Sequence, residues 1–408
     1  MTTIPFTQPV PPNPSSEVVE LGAPLASLVP HRNASVVIAF TDATRNSPDQ
    51  LLVGHLLGRL LESGIARDSI TLLVATGLHR PMTSAEQLKK LGEEIAATVP
   101  IINHQATDAG QIVELGTIDG IPVTANRLCH AADLLISTGV VEPHQYAGYS
   151  GGAKTVAIGC AGQGTIAATH APGMIDQPGV RLGAIAENPF QKFIRAAGKR
   201  VGLRYVANAL MDSQGEIIAC AAGDPTEVHN HLVEQGERVF QVNVTQPAHL
   251  AIAGVDSAKG ANLYQASRAA TYLALCDFTP LLPGAPIILP ASIPEGVGEG
   301  VGEKRFHHFL SAAASPQELV RRLQRDGFPA GAQRAYVLAK VLARHPVIVV
   351  GALHPDVVSA CHMHPVQTME EALALAQQLA RQRFPNQQLH LLNIPNALAC
   401  LPRLQPAG

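Results

Sequence analysis

Three mostly apolar runs constrain this chain most: residues 34–42 (ASVVIAFTD), 69–77 (SITLLVATG) and 132–141 (ADLLISTGVV). None alternates polar with apolar, as a strand with one wet face would, so each reads as a strand covered on both sides. The first is followed by DQLLVGHLLGRLLESG (49–64), with leucines at helical spacing, and the second by Thr83 and Glu86, the two ends of a capping box. Such alternation predicts an α/β fold whose first half is a doubly wound, mostly parallel sheet. Ligands then belong at the carboxyl ends of the strands. There the sequence places Asp42-Ala43-Thr44-Arg45, Leu78-His79-Arg80 and Glu142-Pro143-His144.

A chain of 408 residues is long for one domain and comfortable for two. The expected division is a first α/β domain over residues 1–242 and a second over 243–383, with the active site in the cleft between them. In the second, 241–256 starts a strand and 256–275 is a helix capped by Asp256 or Ser257. Strands at PIILPAS and VIVVGA, helices near 316–344 and 368–383, and a final strand LHLLNIP follow. The glycine-rich PEGVGEGVGEK (294–304) reads as a mobile loop at the cleft.

The net charge of −3 and pI near 6.6 argue against a basic stripe for nucleic acid. No apolar run approaches the roughly 20 residues that cross a bilayer, and the N-terminus lacks the charged start and apolar core of a signal peptide. A cytoplasmic enzyme is expected, without nucleic-acid or membrane partners. The six cysteines form no CxxC pair, so they read as reduced, mostly buried thiols.

Residues 140–170 concentrate the chemistry: His144, Lys154 and His170 stand among glycines. An amine that can be acylated and two imidazoles could supply a tether, a metal ligand and a proton acceptor. Ser150, Gly151 and Gly152 could turn backbone N–H groups toward a phosphate. Residues 148–155 nearly reproduce the P-loop GxxxxGK[ST], with Ala153 in place of its second glycine. A P-loop opens a helix directly, whereas TVAIGCAGQG has three glycines and poor helical periodicity, which favours the tether. A P-loop-like nucleotide hydrolase or kinase and a non-catalytic cofactor carrier are the rival readings. The pairs His229/His231 and His362/His364 lack a third ligand and read as surface-loop residues.

The chain resembles the lactate racemase family, whose members invert 2-hydroxy acids. The resemblance is carried by His144 ten residues before Lys154 and His170 sixteen after it, by Asp42 to Arg45 and Thr76 to Arg80, and by Tyr264-Gln265. It implies a nickel-pincer nucleotide (pyridinium-3,5-bisthiocarboxylic acid mononucleotide nickel) attached covalently to Lys154, with His170 as the nickel ligand. It further implies His79 and His144 as the proton-exchanging bases, one for each face of the substrate. Asp42 and Thr44 would lie at the cofactor, and Arg45, Tyr264, Gln265 and Arg268 at the substrate. The partners implied are a small-molecule 2-hydroxy acid and, transiently, cofactor-synthesis enzymes. The C-terminal tail, about 384–408, is expected to return to the first domain.

This assignment makes chemical sense. Taking the α-hydrogen of a 2-hydroxy acid as a proton leaves a carbanion beside an ionised carboxylate, whereas hydride transfer to a cofactor with proton transfer to a base avoids it. The sequence departs from the family at Arg268, where a Lys is usual, at Ala153, where an Arg is common, and in having no Trp. A pocket without a bulky aromatic suggests a substrate larger or more polar than lactate, such as a dicarboxylic or sugar-derived 2-hydroxy acid.

Overall fold

The three apolar runs form the strands Val36–Thr41, Ile70–Ala75 and Leu134–Val141. In the computed structural model, which describes residues 1–257, 259–329 and 331–405, they are adjacent in a seven-stranded sheet. Its order is Val18–Leu21, Ile217–Gly223, Leu203–Met211, Leu134–Val141, Val36–Thr41, Ile70–Ala75, Ile101–Asn103. Every pairing is parallel except that of Leu203–Met211 with Ile217–Gly223. Val36, Ile38 and Phe40 join Leu52, Leu56 and Leu60 of the helix Asp49–Glu62 in one core, while Val37 and Ala39 join Val156 and Ala157 in another. Burial on both faces is the physical reason for the missing alternation.

From Val36–Thr41 the chain adds Ile70–Ala75 on one side and Leu134–Val141 on the other. The order therefore reverses between strands 36–41 and 134–141, and at such a point the two following turns diverge and leave a crevice.

The second sheet has six strands, all paired in parallel: Thr2–Thr3, His390–Ile394, Leu250–Ala253, Ile287–Pro290, Val347–Val350 and His364–Val366. The strand expected from LHLLNIP is thus part of this sheet, which corrects the idea of a tail returning wholesale to the first half. Only Leu401–Leu404 leaves it, pairing with Gln241–Val244 in a three-stranded sheet completed by Phe6–Thr7. A polar junction joins the halves. Asp176 accepts from the Tyr336 hydroxyl, from Lys340 and, at 3.0 Å, from Gln324.

Two local expectations change. Asp256 accepts from the Lys259 amide at 2.8 Å and closes a turn, so the helix starts only at Leu263, capped by Asn262, whose side chain accepts from the Gln265 amide at 3.0 Å. The glycine-rich loop ends at Gly300, where the helix Val301–Ser311 begins with the Glu303 carboxylate on the Gly300 amide at 2.7 Å. The Thr83–Glu86 capping box is present. All six cysteines are free thiols.

Candidate active site

The turn after strand 36–41 closes on its own carboxylate. Asp42, 5% exposed at its side chain, accepts at Oδ1 from the Thr44 amide (3.1 Å) and hydroxyl (2.6 Å), and at Oδ2 it meets His79 Nδ1 at 2.6 Å. Burial alone would raise the Asp42 pKa, but these hydrogen bonds and the His79 charge hold it below the ordinary carboxylate value. Asp42 is therefore an anion whose carboxylate fixes both the Thr44 turn and the His79 ring. In the neutral ring, with Nδ1–H given to Asp42, the lone pair lies on Nε2, and the His79 side chain is 54% exposed.

Arg45 and Glu142 face each other across the switch point, Nη1 to Oε1 at 3.5 Å. Below them lies a buried pair. Lys90 Nζ is 3.0 Å from Asp49, and it donates to the Arg45 carbonyl at 2.9 Å, which holds the turn from beneath. Arg80 is drawn away to Glu86 at 2.6 Å.

His144 lies in a tight hairpin, Pro143–His144 paired with Gly148–Tyr149. Gly148 has φ +76°, and a Cβ there would lie 1.8 Å from the Ala184 carbonyl oxygen, so only glycine serves. The amides of Tyr146 and Ala147 donate to His144 Nδ1 at 3.3 and 3.1 Å, which puts the ring proton of the neutral imidazole on Nε2. Burial, with the charges of Lys154, Arg45, His170 and Arg268, pulls its pKa well below the ordinary value, so the ring is neutral near pH 7.

The loop before Lys154 uses its own donors internally. The Ser150 hydroxyl donates to the Val140 carbonyl at 2.7 Å, the Gly152 amide to Asn208 at 2.7 Å, and buried His229 donates to the Ser150 carbonyl at 3.0 Å. Ser150 and Gly152 thus shape the loop, and Gly151, at φ +85°, makes its bend. His229 lies on the helix Pro225–Phe240, correcting its surface-loop reading. A single π turn, Thr155–Gly159, follows Lys154, so this segment is more helical than its glycines suggest, yet it stops after one turn. Among the described residues Lys154 Nζ has no hydrogen bond or ion pair. Burial pulls its pKa to about 7, with Arg45 reinforcing the shift and Glu142 and Asp42 opposing it.

His170 follows the short helix Gln163–Thr169. Its Nδ1 lies 2.9 Å from the Ile166 carbonyl, to which it donates, leaving Nε2 as a free lone pair. Burial lowers its pKa to about 4, opposed by the Ile166 bond and reinforced by Lys154, so the ring is neutral at physiological pH. Tyr146 and Phe190 join the two imidazoles: ring centroids lie 5.8 Å from His144 to Tyr146, 5.6 Å from Tyr146 to His170 and 5.4 Å from His170 to Phe190. The described residues contain no cluster of three or more His, Cys, Asp or Glu side chains able to hold a metal unaided.

From the second half, Asn262 orients Tyr264 and Gln265, and Arg268 opens the helix Arg268–Leu275 after a break at Ser267, so one continuous helix is replaced by two. Arg268 donates to Gln265 Oε1 at 3.4 Å and to the Tyr272 hydroxyl at 2.9 Å. Its charge acts on His144 and helps keep that ring neutral. Tyr146, Phe190 and Arg334 also belong to this region without a sequence signal, though Tyr146 could have been suspected from lying two residues after His144.

Two parallel-dominated sheets, with histidines, a lysine and arginines gathered about the switch point of the first, place the protein in the α/β class. The lactate racemase N-terminal domain matches residues 21–183 and the lactate racemase C-terminal domain matches 258–401. Lactate racemase of Lactiplantibacillus plantarum is 32% identical over 352 residues, 84% of this chain and 80% of that one. The same enzyme of Thermoanaerobacterium thermosaccharolyticum is 28% identical over 352 residues, 85% and 80% of the two chains. The structure of the latter's apoprotein matches with a TM-score of 0.84 and 25% identity, covering 98% of this chain and 95% of that one. A Thermotoga maritima protein shares the fold alone, at TM-score 0.64 and 18% identity, over 95% and 94%. The chain belongs to the lactate racemase family. Among its described residues, no helix is long and apolar enough to cross a membrane.

Proposed function

We propose that this chain is a racemase or epimerase inverting C2 of a 2-hydroxy acid, with a nickel-pincer nucleotide tethered at Lys154 and the site between domains divided near residue 242. The observation that carries the reading is the pairing of a partnerless, deprotonatable amine at Lys154 with a neutral His170 whose Nε2 lone pair is free. A nucleotide that brings most of its own metal donors asks the protein for one acylatable amine and one neutral imidazole, and these residues fit. Lys154 would hold the ring by an amide-type bond and His170 Nε2 would complete the metal's coordination. When bound, the group supplies an electrophilic ring that takes and returns hydride.

The protein's own work is proton management and orientation. His79, with Nδ1–H on Asp42, presents Nε2 as acceptor for the substrate hydroxyl proton. His144 presents Nε2–H as donor to the same oxygen from the hairpin side. For the opposite enantiomer the donor and acceptor exchange roles, which requires the His144 ring to release its two amides and carry its proton on Nδ1, so that Nε2 offers a lone pair. Arg45 and Arg268 orient the carboxylate, with Tyr264 and Gln265 behind them. The deciding experiment is a chiral assay of protein co-expressed with cofactor-synthesis enzymes. Interconversion of the enantiomers of a 2-hydroxy acid supports the reading, and a nickel-loaded protein leaving every such acid unchanged refutes it.

The lysine itself gives a second expectation. Its neutral fraction rises through pH 7, so modification of Lys154 in the apoprotein by an acylating reagent, read by peptide mass spectrometry, should increase about tenfold from pH 6 to pH 8 and then level off. An exposed lysine would keep rising by about tenfold per unit to beyond pH 9. A Lys154 profile of that second kind contradicts an activated amine.

A further inference from the structure

Two guanidiniums share the second-half wall without a counter-ion. Arg334, in the first turn of the helix Gln333–Leu342, donates from Nη2 to the Tyr264 carbonyl at 3.0 Å and lies with Cζ 4.6 Å over the Tyr264 ring. Arg268 donates to Gln265 and Tyr272, and its Nε–H is buried with no acceptor. Every one of these partners is neutral. Among the described residues neither arginine forms an ion pair, and Glu142, which acts on Arg268, already faces Arg45 at 3.5 Å.

Burial lowers the Arg334 pKa, the Arg268 charge lowers it further, and Tyr264, Tyr146 and Tyr272 oppose the shift. A guanidinium does not shed its proton at physiological pH, so it cannot relieve this cost as a lysine can. Two like charges withdrawn from water together are costly unless an anion meets them. A single substrate carboxylate, held by Arg45 and Arg268, leaves Arg334 without one. A monocarboxylic acid would not need the third cation.

Resting on the racemase reading, we infer that Arg334 recognises a second anionic group, so that the preferred substrate is a 2-hydroxy dicarboxylic acid. The absence of Trp agrees with a substrate bulkier than lactate.

The test uses the full-length apoprotein, so that binding is read independently of the cofactor. By calorimetry malate should bind at least about tenfold more tightly than lactate, the scale of one charge-assisted contact. Arg334→Gln should remove that preference and leave lactate binding within about twofold, whereas Arg334→Lys, keeping the charge, should retain part of it. Equal binding of malate and lactate, or equal weakening of both in Arg334→Gln, overturns the inference. So does tight binding of inorganic phosphate through Arg334 without malate preference, which would assign the residue to the nucleotide. Should the Gln variant fail to fold, the Lys variant and the wild-type preference decide. In the loaded enzyme, lactate inverted as efficiently as malate defeats the inference while the racemase reading stands. Arg334-dependent malate binding without inversion of any acid keeps the recognition site and removes the racemase reading.

Discussion

His79→Ala should lower kcat by about 10²–10⁴-fold in both directions while leaving the Lys154 adduct and metal content unchanged, the range expected for loss of a positioned proton-transfer group. The expectation follows from geometry. Asp42 is buried, anionic and 2.6 Å from Nδ1, so the ring is fixed in the tautomer that leaves Nε2 open toward substrate. Asp42→Asn tests the fixation separately, because its amide can donate to Nδ1 and turn the tautomer around. It should reduce kcat with little change in KM, since Asp42 touches the ring and not the substrate. Steady-state kinetics with each enantiomer measure both. A His79→Ala enzyme within about twofold of wild type would end the role assigned to this ring.

The largest effect on stability is expected at Asp49→Ala. This carboxylate is 0% exposed and accepts from Thr41 at 2.6 Å, from Thr138 and from Lys90, whose ammonium lies 3.0 Å away. Removing one partner of a buried ion pair leaves the other uncompensated, a loss of about 3–5 kcal/mol. Replacing Asp49 and Lys90 together by leucine should cost clearly less, because no orphan charge remains. Denaturant midpoints of the three proteins decide it, and equal midpoints for Asp49→Ala and wild type would contradict the account. Loss of the pair should also raise KM, since Lys90 supports the Arg45 carbonyl under the substrate turn.

The parallel core was legible because its strands are buried on both faces and therefore mostly apolar, without alternation: Val36–Thr41 and Leu134–Val141 have no exposed residue. Leu203–Met211 and Ile217–Gly223 were harder to read, since alanines and an asparagine fill positions where bulk marks a strand. The spacing of His144, Lys154 and His170 singled out a segment that the fold assembles around Tyr146 and Phe190. Hydrogen-bond partners are another matter. That Asp42 holds His79, and that Ser150 and Gly152 serve their own loop, depends on residues brought in from distant strands and helices, such as Asn208 and His229. Arg334 carried no sequence signal, because its meaning lies in what does not surround it.

On the proposed reading the amine of Lys154 anchors the reactive group and the imidazole of His170 completes its metal site. Intact-mass and peptide mass spectrometry of protein co-expressed with the cofactor-synthesis enzymes, paired with nickel analysis, tests it most directly. One adduct on Lys154 with about one nickel per chain is expected in wild type, no adduct in Lys154→Ala, and an adduct with depleted nickel in His170→Ala. An unmodified Lys154 in a protein that nevertheless inverts a hydroxy acid would contradict it.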